Sequence, residues 1–185
     1  MSTDNAVLLI TRAAHFAAQR HTHQRRKGEL AEPYINHLTD VAVRLAEATH
    51  GNDPELIAAG LLHDTIEDQG VTHAELAQHF GTDVANLVSE VTDDKSLPKA
   101  ERKRMQVVHA SHASVRARML KLSDKCSNLQ SILVSPPPDW STQRRLEYFD
   151  WARDVVAGCR GVNARLESEF DAHYARRDEL LPRAP

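Results

Sequence analysis

Apolar positions along this chain recur at intervals of three and four residues, and no run alternates with period two for long enough to predict a strand. In MLKLSDKCSNLQSIL, residues 119–133, Met119, Leu122, Cys126, Leu129 and Leu133 form one helical stripe, while Lys121, Asp124, Asn128 and Ser131 line a different face. The residues between such runs read as helix caps. Asp53-Pro54 precedes ELIAAGLLH, and Thr72-His73-Ala74-Glu75 is a capping-box pattern opening a helix that Gly81 closes. Thr82-Asp83 starts VANLVSEV, Pro98 opens KAERKRMQVV, and Ser141, after the breaker Pro136-Pro137-Pro138, caps TQRRLEYFDWARDVVAG. The pattern predicts an all-α bundle of about eight to ten helices.

Composition narrows the picture. A chain of 185 residues, 41% hydrophobic and 26% charged, can build one well-formed core, so a single domain over 1–185 is expected. The net charge of −3 provides no overall basic field, which argues against a nucleic-acid partner and for a small ligand if the ligand is anionic. Cys126 and Cys159 form neither a C-x-x-C pair nor a disulfide framework. The N-terminal MSTDNAVLLITRAA meets Arg12 after a short apolar run and reads as neither signal peptide nor membrane span. A cytoplasmic protein without a membrane partner is expected. Oligomeric state is not written in these features.

Chemistry concentrates in GLLHDTIEDQG, residues 60–70, where an imidazole and three carboxylates follow an apolar run. If the segment is helical, His63 and Glu67 are four residues apart, as are Asp64 and Asp68, and like charges at that spacing repel unless a cation sits among them. A metal ion is one answer and a solvated helix end is the other. The HD dipeptide is weak by itself, since roughly one is expected by chance in a chain of this composition. A metal site needs further ligands from other elements. The polar face around Asp124 is one source, although a single polar stripe with a Lys121–Asp124 pair is more often simply wet. The other is RRKGELAEPYINHL, residues 25–38, where three cations sit in a loop marked by Gly28 and Pro33 and His37 follows at a helix start.

Taken jointly, His37, His63-Asp64 and Asp124 resemble the H…HD…D ligand pattern of HD-domain metal-dependent phosphohydrolases. HTHQRRKGELAEPYINH, LLHDTIED, VTDDKSLPKAERKR, KLSDKCSNL and WSTQRRLEYFDWA are similar to the hydrolase domain of RelA/SpoT proteins, over about residues 13–177. The match points to the stand-alone small alarmone hydrolases, which include the metazoan SpoT homologues, and no synthetase region is expected. Leu38 stands where that family usually has proline and Ser123 where it usually has alanine; neither change removes a functional side chain.

The resemblance implies an enzyme that removes the 3′-pyrophosphate of (p)ppGpp, with one Mn²⁺ per chain. Two imidazoles and two carboxylates on an octahedral ion leave two positions for water and substrate, a mixed set that by itself leaves Fe²⁺, Zn²⁺ and Co²⁺ open. Glu67 and Asp68, one turn beyond the HD pair, are then placed to orient water and move protons. By motif position, Arg26, Lys27, Asn128, Arg144 and Tyr148 are implied substrate contacts. Lys99 is a further candidate, for which, as for Arg102 to Arg104, a solvated helix is an equal reading. Tyr148, Phe149 and Trp151 fit a core cluster equally well. Two other functions stay open: an HD phosphatase acting on another 2′- or 3′-phosphorylated nucleotide such as NADPH, and a nucleotide-binding sensor without turnover, against which the intact Glu67, Asp68 and ligand set argue.

Overall fold

Capping chemistry sets the helix boundaries where the sequence places them. In the computed structural model, which describes residues 3–181, Asp53 accepts a hydrogen bond from the Leu56 amide and opens α3 (Pro54–Leu62). Thr72 accepts from Glu75 N–H to open α5 (His73–Phe80), and Ser141 accepts from Arg144 N–H to open α9 (Thr142–Ala157). The reciprocal half of the capping box does not form: the Glu75 carboxylate pairs instead with Arg20, the last residue of α1 (Thr3–Arg20). Gly81, at φ +88°, separates α5 from α6 (Thr82–Val91), and Pro98 precedes α7 (Lys99–Ala110). With α2 (Ile35–Ala48), α4 (Thr65–Gln69), α8 (Val115–Val134), α10 (Ala164–Ala175) and a 3₁₀ turn (Arg177–Leu180), the described residues contain ten α-helices and no strand. The fold is an all-α bundle, as the sequence pattern predicts.

Two helices form its centre. In α3 every residue from Leu56 to Leu62 is buried, because α1, α2, α6 and α8 surround it. Gly60 permits a close approach of α2, since a Cβ there would stand 2.7 Å from Leu45 Cδ1 of that helix. Helix α8 packs against α2, α6, α9 and α10. Its predicted stripe of Met119, Leu122, Cys126 and Leu129 is buried, while Leu133 is only half-buried and Ile132 takes the inner position. Burial also reaches Lys121, Ser123, Lys125 and Ser127, while Asp124, Asn128 and Ser131 of the predicted polar face are half-buried. The cation beside Asp124 is accordingly Lys125 and not Lys121.

The 60–70 segment is not one helix. α3 stops at Leu62, His63 and Asp64 form a turn, and α4 begins at Thr65 and ends at Gly70 in the left-handed region (φ +66°). Side chains complete the break: Thr65 Oγ1 donates to the Leu62 carbonyl at 2.6 Å, and His63 Nδ1 donates to the Gly60 carbonyl at 2.8 Å. The carboxylates thus diverge from a single helical face. His63 and Asp64 turn toward α2 and α8, and Glu67 and Asp68 sit on the short helix beyond.

Candidate metal centre and nucleotide pocket

Three segments meet at one point. His37 lies in the first turn of α2, His63 and Asp64 in the turn before α4, and Asp124 midway along α8. His37 Nε2 is 3.3 Å from Asp124 Oδ1 and 3.7 Å from Asp64 Oδ2; His63 Nε2 is 3.1 Å from Asp64 Oδ2 and 3.9 Å from Asp124 Oδ1. Ligand atoms of His37, His63 and Asp124 all fall within 4.8 Å of one another. The outer imidazole nitrogens are engaged elsewhere, His37 Nδ1 with the Ser127 hydroxyl at 2.9 Å and His63 Nδ1 with the Gly60 carbonyl. A carbonyl only accepts, so His63 carries its proton on Nδ1 and turns Nε2 inward, where that buried atom has no hydrogen-bond partner. An unpartnered buried nitrogen facing two carboxylates fits a divalent cation.

The electrostatics are those of a tightly coupled cluster. Burial lowers the His37 pKa, partly offset by Asp124. Burial acts the same way on His63, but the adjacent Asp64 carboxylate more than reverses it, to about 9. Burial works to raise both acids; His63 and His37 hold Asp64 well below the usual carboxylate range, and Lys125 and His37 do the same for Asp124. These carboxylates accept further hydrogen bonds. Tyr34 Oη donates to Asp64 Oδ2 at 2.7 Å, Asn128 Nδ2 to Asp124 Oδ1 at 2.6 Å, and Lys125 Nζ to Asp124 Oδ2 at 2.9 Å.

Glu67 and Asp68 flank this cluster without joining it. Glu67 Oε2 accepts from the Asp93 amide at 3.4 Å, and its Oε1 lies 3.6 Å from Arg102 Nη1. Burial, with the carboxylates of Asp93 and Asp64, raises its pKa. Asp68 is held through both oxygens, by Gln24 Nε2 at 2.8 Å and Lys95 Nζ at 2.9 Å.

Two adjoining clefts, of about 230 and 470 Å³, share Lys27, Trp140 and Tyr148 in their walls. Arg26 and Asn128 line the first and are bonded to each other, Nη2 to Oδ1 at 3.0 Å. Lys99 and Arg144 line the second, so every predicted substrate contact reaches one cleft or both. Arg102 and Lys103, both half-buried, line it too, while Arg104 pairs with Glu101 at the surface. Trp151 also faces this cleft, donating to the Lys103 carbonyl and lying 4.5 Å from both Lys103 Nζ and Lys125 Nζ. Within the aromatic cluster only Phe149 is core.

A family model described as HD domain matches residues 13–148, a span that includes all four converging side chains. The chain belongs to the HD-domain family. Two relatives of this HD-domain protein, both named guanosine-3′,5′-bis(diphosphate) 3′-pyrophosphohydrolase MESH1, come from Xenopus tropicalis (50% identical, covering 92% of this chain and 94% of the relative) and Homo sapiens (46% identical, 96% and 98%). A solved structure described as a metazoan orthologue of SpoT that hydrolyses ppGpp superposes with a TM-score of 0.88 at 42% identity, covering 94% of this chain and 97% of that one. HD hydrolases are metal-dependent, and the His/Asp cluster here is such a site. No described helix is long and apolar enough to cross a membrane.

Roles for Gln24, Tyr34, Lys95, Lys125 and Ser127 emerge only from the fold, although each lies within or beside a stretch that carries the HD resemblance. Residue type and spacing do not say which of several polar neighbours turns inward. Their partners lie up to 90 positions away, as Ser127 does from His37.

Proposed function

We propose that this HD-domain protein hydrolyses the 3′-pyrophosphate of (p)ppGpp, leaving GDP or GTP and pyrophosphate. The observation that carries the reading is the placing of His37, His63, Asp64 and Asp124 around one point beside clefts lined by Arg26, Lys27, Lys99 and Arg144. The identity to MESH1 proteins and the likeness to the SpoT orthologue support it. His37, His63, Asp64 and Asp124 would hold one ion, which we assign as Mn²⁺, and the ion would supply Lewis acidity to activate water toward phosphorus. Glu67, its pKa raised, and Asp68 orient that water and handle its protons. Arg26 and Asn128 hold the nucleoside side. Lys27 meets the nucleotide beside Arg26, and Lys99, Arg144 and the Tyr148 hydroxyl face the phosphates and offset charge that builds on the departing pyrophosphate.

The reading of 1–185 as one domain of this type is supported by α10, beyond the matched span, packing on α8 and α2. Product analysis with the Mn²⁺-loaded protein and a panel of 3′- and 2′-phosphorylated nucleotides tests the assignment. Pyrophosphate released as one unit from (p)ppGpp is the expected result. Survival of (p)ppGpp beside rapid hydrolysis of another nucleotide, NADPH among them, would replace the substrate, and turnover of none would make the protein a sensor.

A further inference from the structure

Asp68 is joined to a buried histidine through a glutamine whose amide can face only one way. Gln24 donates from Nε2 to Asp68 Oδ2 at 2.8 Å, while its Oε1 lies 2.6 Å from His21 Nδ1 and also accepts from Gln69 Nε2. His21 is buried, stacked on Tyr34 with ring centroids 5.2 Å apart, and its Nε2 has no partner. An amide oxygen only accepts, so the short contact requires the proton on His21 Nδ1. That proton, with the Gln69 amide, pins Gln24 Oε1 and leaves the NH₂ group pointing at Asp68. The flipped amide would set an oxygen against the carboxylate and an NH₂ against two donors.

We infer that Gln24, keyed by His21 and Gln69, is a positioning residue that orients Asp68 for its acid–base role. The inference rests on the reading of Asp68 given under the proposed function. Lys95, half-exposed, grips the other Asp68 oxygen from a mobile stem, so the directional hold comes from Gln24.

Two measurements on the full chain test this. With the site loaded with diamagnetic Zn²⁺, long-range ¹H–¹⁵N correlation spectra should show His21 as the Nδ1–H tautomer. An Nε2–H tautomer would leave Nδ1 to accept from Gln69 Nε2, 3.3 Å away, or from a flipped Gln24 amide; either way His21 would not key Gln24, which overturns the inference whatever the enzyme's activity. In kinetics with Mn²⁺ and (p)ppGpp, Gln24→Ala should lower kcat by about 10- to 100-fold, the scale of lost outer-shell support, with KM within about twofold and one metal per chain. In an Asp68→Asn background the same change should cost nothing further, because its effect passes through Asp68. A full additional loss in the double variant, or an unchanged kcat with only a lower Tm, would make Gln24 a packing residue and overturn the inference. If the wild type leaves (p)ppGpp intact, the functional reading fails separately and the tautomer still decides this one.

Discussion

Lys125 Nζ reaches back 2.9 Å to the Oδ2 of its own chain neighbour Asp124, leaving Oδ1 of that carboxylate to face His37 at 3.3 Å. The pair is enclosed, with Trp151 over the ammonium. Lys125→Met should therefore strip the outer oxygen of its cation, weakening metal affinity by about 10- to 100-fold. It should also destabilise the fold by about 3–5 kcal/mol, as breaking a buried pair does. Metal titration and thermal melts measure the two effects; unchanged affinity would show that Asp124 does not depend on Lys125.

Metal should stabilise the fold because its ligands tie together α2, the turn before α4, and α8. With free ion at about 100 times Kd the gain should be about 2.7 kcal/mol, read as a rise in Tm that a chelator removes. In His37→Ala or Asp124→Asn that rise should disappear. A persistent rise in either variant would place the ion elsewhere.

Glu67→Gln and Asp68→Asn should each reduce kcat by about two to four orders of magnitude while metal content stays near one per chain. Loss of metal in either variant would move that residue into the ligand set. Arg102→Ala, which removes the cation 3.6 Å from Glu67, should reduce kcat in the same direction by a smaller factor.

Arg26→Ala and Lys27→Ala should raise KM more than they lower kcat. Both cations line the cleft, and neither bonds His37, His63, Asp64 or Asp124 directly, so their contacts supply mainly uniform binding. Equal loss in kcat and kcat/KM would instead place them at the transition state.

The buried Arg44 guanidinium joins Asp40, Gln130 and Glu169, and His173 sits beside Glu169 as well. Contact with His173, and then with Arg44, holds the Glu169 pKa below its ordinary value against the opposing effect of burial. Its contribution to stability is complete above the ordinary value of 4.5 and is lost as pH falls through the lower folded value. Urea denaturation of wild type and Glu169→Gln should differ by a constant amount near neutral pH and converge in acid. A pH-independent difference would show that Glu169 acts through packing alone.

Local signals along the chain determined the helices. Asp53, Thr72, Ser141 and Gly81 act through bonds to residues three or four positions away, so their meaning is legible without the fold. Motif resemblance likewise singled out His37, His63, Asp64 and Asp124, which the fold brings close to one another. Only the tertiary structure decided that the helix breaks between His63 and Thr65, that α8 buries Lys125 against Asp124, and that Arg102 turns to Glu67 while Arg104 stays at the surface. Each of these is a choice between side-chain partners that look equivalent in sequence. Packing makes the choice, because a polar group enclosed by neighbouring helices must bond whatever lies within reach of it, and that neighbour is set by how distant segments stack.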